Sequence, residues 1–184
     1  RNKMKFALMW ANHNWGIWPA LENDVRGMNG NENQASCEPF LKIVHSEEDL
    51  RNVMEYCCEK YFKCENYWKI DGKPVVFVYD YQNQLRDGFE SAQEQRRAFD
   101  DCRKMAKAAG FDGLIFAIEY RKDDLLVIED YRERGYDFSF AYCWKVKQPN
   151  ATNEEDMAEQ MRKMQMRAEQ IPDYFCPTVS CMWD

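Results

Sequence analysis

The apolar positions of this chain fall into two patterns that alternate along its length. Short continuous runs occur at Phe6-Ala-Leu-Met9, Val75-Val-Phe-Val-Tyr79, Leu114-Ile-Phe-Ala-Ile118 and Phe138-Ser-Phe-Ala-Tyr-Cys-Trp144. Their length and their β-branched and aromatic content predict strands buried on both faces. Between them apolar residues recur at helical spacing. Leu50, Val53, Met54, Cys57, Cys58 and Tyr61 form a stripe that predicts a helix from an N-cap at Ser46 to about Phe62. A second helix runs from about Ala92 to Ala109 and stops at Gly110, a glycine just past the helix end. A third starts at Asp123 or Asp124, passes Leu125, Leu126, Ile128 and Tyr131, and closes at Gly135. The fourth is capped by Thr152 or Asn153, carries Glu154, Glu155 and Asp156 in its first turn, and reaches about Gln170. Its stripe of Met157, Met161 and Met164 is expected to pack into the core. Tyr174 to Asp184 reads as a fifth strand, and Asp71-Gly72 as a tight turn before the second.

One segment breaks the alternation. Residues 16–46, punctuated by Gly16, Pro19, Gly27, Gly30 and several Asn, read as a long loop, either a functional insertion or a lid. Strands alternating with single helices imply a parallel sheet with right-handed crossovers. A small open sheet and part of an eight-stranded barrel both satisfy that order. No Gly-rich phosphate loop follows the first strand, which counts against a nucleotide-binding open sheet. The last strand ends with no covering helix after it. The expectation is therefore an α/β fold: one partial parallel (β/α)8 barrel domain of TIM type over residues 1–184, a middle fragment of about five strands and four helices. An unclosed barrel exposes strand edges, so self-association of the fragment is expected as well.

Composition narrows the function classes. Hydrophobic residues make up 45% and charged residues 31%, the balance of a folded globular chain. The net charge of −7 argues against nucleic acid as a partner. No apolar run approaches the roughly 20 residues of a membrane span. Arg1-Asn-Lys opens no signal peptide, and the missing initial Met marks a processed or excised piece. The eight Cys form no CxxC pair and there are only two His, so no metal site and no cofactor are expected. Free thiols in a reducing, cytoplasmic setting are the favoured reading, with disulfides left open by the even count.

The chemistry concentrates where strands run out into loops, the end that carries ligands in parallel α/β folds. The first strand leads into Trp10, Asn12, His13, Asn14 and Trp15; the second ends in Tyr79 and Asp80; the third in Glu119 and Tyr120; the fourth in Tyr142 and Trp144; the fifth in Trp183 and Asp184. Aromatic faces beside amide and carboxylate groups suit a sugar, which has a C–H face and a hydroxyl rim. Core packing would account for any one of these aromatics; their recurrence at successive strand ends favours an oligosaccharide or polysaccharide. Glycosidic cleavage needs a carboxyl pair. Glu119 is the leading catalytic candidate, with Ile118 before it and Tyr120 placed to hydrogen-bond it. The other reading of Glu119 is a structural carboxylate paired with Arg121 or Lys122. Asp184 and Trp183 would hold a sugar hydroxyl and stack on its ring.

Four segments together resemble a known family. Trp10-Ala-Asn-His-Asn-Trp15, Tyr67-Trp-Lys-Ile-Asp-Gly-Lys-Pro-Val-Val-Phe-Val-Tyr79, Phe111-Asp-Gly113 and Val179-Ser-Cys-Met-Trp-Asp184 are similar, in order, to motifs of the glycoside hydrolase family 99-like domain. That domain includes WbsX-like proteins of polysaccharide gene clusters and is related to endo-α-mannosidases. The resemblance implies a glycan-active (β/α)8 enzyme, hydrolase-like, on mannose-type or bacterial polysaccharide substrates. Two positions depart from the pattern: His13 stands where the family commonly has Glu, and Met182 replaces a Gly before Trp-Asp. The family's acidic pair, in an E-W-x-E-like segment one strand further on, has no counterpart in this chain. A non-catalytic glycan-binding or polysaccharide-biosynthesis role is the alternative that these departures imply.

Overall fold

The computed structural model describes residues 4–11, 15–16, 39–41, 43, 45–80, 84–142, 144 and 153–178. Asn12, His13, Asn14, Trp183 and Asp184 lie outside the described residues, as does most of the segment 16–46. In chain order the elements are β1 (Leu8–Ala11), β2 (Trp15–Gly16), β3 (Pro39–Leu41), α1 (Glu47–Lys60), β4 (Lys69–Ile70), β5 (Lys73–Tyr79), α2 (Gln84–Asp87), α3 (Ala92–Ala108), β6 (Ile115–Glu119), α4 (Val127–Glu133), β7 (Phe138–Phe140) and α5 (Asn153–Gln170).

Local chemistry explains most of these boundaries. Ser46 and Asp49 close a reciprocal capping box at the start of α1: the Ser46 hydroxyl accepts the Asp49 N–H at 3.1 Å and the Asp49 carboxylate accepts the Ser46 N–H at 3.0 Å. Ser91 caps α3 by accepting the Glu94 N–H at 3.1 Å. Asp71 (φ 48) and Gly72 (φ 72) make the left-handed turn that folds β4 back on β5. That turn is wedged against the next motif, because a Cβ at Gly72 would lie 1.8 Å from the Asp112 carboxylate. The Asp112 N–H donates to the Gly72 carbonyl at 3.3 Å, so Asp71-Gly72 and Phe111-Asp-Gly113 form one structural unit where β5 and β6 begin.

The main sheet runs β1-β5-β6-β7, and every neighbouring pair along that path is parallel. Residues 174–178 continue it beside β7. Ser139 bridges Phe175 in parallel, the Ser139 N–H donates to the Tyr174 carbonyl at 2.8 Å, and the Cys176 N–H donates to the Ser139 carbonyl at 2.8 Å. The expected α/β fold with a parallel sheet and alternating helices is what the chain forms. Its strands follow sequence order with no reversal. Crossovers of one hand then place all helices on one face, as in a barrel wall, whereas a doubly wound sheet reverses its order midway. The core agrees with that layering. Leu50 and Met54 of α1, Phe99 and Cys102 of α3 and Ile128 of α4 share a single cluster with Val76, Val78, Phe116 and Ile118.

Three expectations need correcting. The long loop contains an antiparallel pair, β2 with β3. The third helix begins at Val127, later than Asp123 or Asp124, because the Asp124 carboxylate takes the Leu126 N–H at 2.9 Å and its carbonyl takes the Tyr120 hydroxyl. The methionine stripe of α5 is not core: Met157 and Met161 are each 63% exposed, while Lys163 and Arg167 lie buried on the inward side.

Candidate functional site

Pairing register decides which strand-end side chains share a face. Met9 is level with Phe77, Phe77 with Ala117, and Ala117 with Phe138. Two residues further along, Ala11 pairs with Tyr79 and Glu119 with Phe140, with the Val78–Ile118 pairing bringing Tyr79 level with Glu119. Since Val76, Val78, Phe116 and Ile118 face the helices, these two rows occupy the opposite face, which is helix-free among the described residues. It is an aromatic surface. The Phe77 ring meets Phe140 edge-on at 4.6 Å and stacks with Trp68 at 5.8 Å, and Tyr79 meets the exposed Tyr142 edge-on at 5.4 Å.

Glu119 ends this surface as a carboxylate only 7% exposed. Its Oε1 accepts the Tyr142 backbone N–H at 3.4 Å and lies 3.5 Å from the Arg121 Nε. Burial raises its pKa from the ordinary carboxyl value, against the opposing pull of Arg121, the Tyr142 N–H, Arg167 and Lys122. Tyr120 does not hydrogen-bond it as expected, since the Tyr120 hydroxyl is committed to Asp124. The raised value has a stability consequence with a definite sign. Between the ordinary value of 4.5 and the folded-state value, the native protein holds more protons than the unfolded chain, so stability falls as pH rises through that window. Urea titrations of wild type and Glu119→Gln are expected to converge below about pH 4 and to separate in the variant's favour above it. Parallel pH profiles would contradict this.

The remaining sequence candidates are distributed as follows. Trp10 is level with Val78 on the helix side, where it packs edge-on against the buried His45 at 4.8 Å. Trp144 is buried; its indole N–H donates to the Thr178 carbonyl at 2.8 Å and its ring lies 5.0 Å from the Arg167 guanidinium. Trp15 pairs its backbone with Leu41. Asp80 turns its carboxylate onto the Leu85 and Arg86 N–H groups, at 3.1 and 3.2 Å, and serves as the cap of α2. Phe77, Phe140 and Trp68 were not among the sequence candidates. Alternation within β5 carries the signal, for Phe77 and Tyr79 are two residues apart and share a face.

Among the described residues no group of three or more His, Cys, Asp or Glu is placed to hold a metal ion. Cys57, Cys58, Cys64, Cys102 and Cys176 are free thiols. Burial pushes Cys57 up to about 11 and Cys102 to about 12, so both stay protonated as small core residues rather than nucleophiles. No helix among the described residues is long and apolar enough to cross a membrane.

No curated protein matches the chain. Similar solved structures include the GH99 endo-alpha-mannosidase from Bacteroides thetaiotaomicron, 19% identical over 73% of this chain and 36% of its own, with a TM-score of 0.47. The complex of that enzyme with BIS-TRIS-propane is 18% identical over 73% of this chain and 38% of its own, also at 0.47. This chain thus spans little more than a third of the length of the enzymes it matches. A family model does match nearly the whole chain, over residues 1–180, and by that match the chain belongs to the family described as Glycosyltransferase WbsX.

Proposed function

We propose that the helix-free face, at the ends of β5, β6 and β7, forms part of a glycan groove in a hydrolase-like enzyme acting on mannose-type or bacterial polysaccharide. The domain is read as a single partial (β/α)8 barrel over residues 1–184. One observation carries the reading: Tyr79, Glu119 and Phe140 share one row at the strand ends, with Tyr142 leaning over it. The rings offer flat apolar faces for sugar C–H groups. The buried Glu119, held toward its neutral form, is suited to donate a proton to a leaving glycosidic oxygen. Asn12, His13, Asn14, Trp15, Trp183 and Asp184 belong to the same proposal as hydroxyl-binding and stacking residues.

A second reading, binding without cleavage or a part in polysaccharide assembly, draws on one specific observation. Glu119 is the only carboxylate that these rows contain among the described residues, since Asp80 is occupied as a helix cap. Glycosidic hydrolysis ordinarily uses two.

The test measures sugar release from mannan and from bacterial polysaccharides, and binding of the same glycans by calorimetry. Tyr142→Ala is expected to weaken binding about fivefold, the effect of losing one aromatic face worth about 1 kcal/mol. Release of sugar that is lost in Glu119→Gln supports the hydrolase reading. Binding without release supports the second. Neither binding nor release removes both.

A further inference from the structure

Helix α5 is built with its charges inward. Arg167 is 0% exposed, yet among the described residues only one nitrogen of its guanidinium finds an acceptor: Nη2 donates to the Lys122 carbonyl, while the buried Nε and Nη1 have no partner there. One helical turn earlier, Lys163 is also buried and places its Nζ 3.2 Å from the Asp123 carboxylate. Arg162 approaches the other Asp123 oxygen at 4.0 Å. All three reach the same short segment, residues 121–124, the loop that leads from β6 to α4 and begins two residues after Glu119. Trp144, over the Arg167 guanidinium at 5.0 Å, and Phe175, at 6.0 Å, wall it in.

Burying a cation with two unmade hydrogen bonds is costly, and apolar side chains at these positions would pack a helix more favourably. The arrangement makes sense as a clamp. We propose that Arg167 and Lys163 are positioning residues for the strand-end site, fixing the β6–α4 loop so that Arg121 is held beside Glu119. The inference rests on the reading of Glu119 as the site's acid. Neither cation contacts a glycan in this scheme; both act through the loop. Burial holds Arg167 below its ordinary value, and Asp123, Tyr120 and Glu119 counter that, so it remains charged and able to act.

The groups facing Glu119 come from every element around it. Arg121 and Lys122 belong to its own loop, the Tyr142 N–H to the end of β7, Arg167 to α5, Tyr131 to α4, and Tyr79 is level with it on β5. Among these, Arg121 opposes the burial effect most strongly. If the loop is released, Arg121 moves away and the Glu119 midpoint rises.

The experiment titrates Glu119 directly in the full chain, by carbon-13 NMR of carboxyl-labelled glutamate, with Glu119→Gln identifying the resonance. Arg167→Met is expected to raise the midpoint by about one pH unit, and Arg167→Lys to restore at least half of it. Asp123→Asn separates the loop from the bare field of Arg167. Removing an anion would by itself lower the Glu119 midpoint, so a rise in this variant reports a freed loop. It also keeps the test decisive if Arg167→Met fails to fold. No rise in Asp123→Asn overturns the clamp, whether or not Arg167→Met shifts the midpoint. The measurement needs no glycan, so it is separate from the functional reading: glycan binding that is absent while the midpoints shift defeats that reading and leaves the clamp standing as a device of the fold.

Discussion

Replacing Arg103 with Met is expected to lower the unfolding free energy by about 3 kcal/mol, among the largest losses any single surface-reaching residue of this fold can produce. Arg103 ties three elements together where β6 and β7 begin. From α3 its Nε donates to the Leu114 carbonyl at 3.2 Å and its Nη1 to Asp100 at 2.8 Å. Its Nη2 donates to the Gly135 carbonyl at 2.6 Å and to the Asp137 carboxylate at 2.9 Å. The same Asp137 oxygen accepts the Phe116 N–H at 2.8 Å, so the ion pair also orders the second residue of β6. The guanidinium lies 5.5 Å from the Phe116 ring centre, adding a cation–π contact. Met retains much of the alkyl stem and removes only the fork, leaving two carbonyls and two carboxylates short of a donor. Lys restores part of the loss, since one ammonium cannot reach the four acceptors of a planar fork. Urea unfolding followed by tryptophan fluorescence checks this, and a loss under about 1 kcal/mol would show that the network is dispensable.

Gly88→Ala is expected to cost about 2 kcal/mol and to disturb the tryptophan environment at the end of β1. A Cβ at residue 88 would lie 2.1 Å from the His45 carbonyl oxygen and 3.1 Å from its carbonyl carbon. Both are backbone atoms, so no flexible side chain can swing away. Either the turn after α2 or the backbone at His45 must shift. His45 is buried and supports Trp10 edge-on at 4.8 Å, so the shift passes to the strand whose end borders the proposed groove. Near-ultraviolet circular dichroism and urea unfolding read the two consequences. An unchanged dichroism spectrum with full stability would mean that the backbone accommodates the methyl group freely.

Several features were legible without coordinates because they depend on neighbours in sequence. Ser46 and Asp49 specify the start of α1 through a local capping box, and the Asp71-Gly72 turn follows from the conformational freedom of those two residue types. The alternation of short apolar runs with helical stripes specifies a parallel α/β sheet, because single-helix crossovers leave that arrangement open and few others. The placement of Glu119 at a strand end is legible for the same reason.

Facing was not legible. Trp10 and Tyr79 both sit at strand ends, but Trp10 turns to the helices and Tyr79 away from them. Runs such as 75–79 are apolar on both sides, so their period of two separates the faces without saying which one the helices cover. The Leu8–Val76 and Val78–Ile118 registers make that choice. Helix α5 repeats the lesson in another form. Its periodicity separates Met157 and Met161 from Lys163 and Arg167, and the usual preference would bury the methionines. The carbonyl of Lys122 and the carboxylate of Asp123 draw the cations inward instead. The sequence by itself determined most of the main-sheet strands and longer helices and their order, because hydrogen bonding and propensity act over a few residues. The tertiary structure alone decided which side chains meet, because that depends on partners distant in the chain whose register and charge no local pattern encodes.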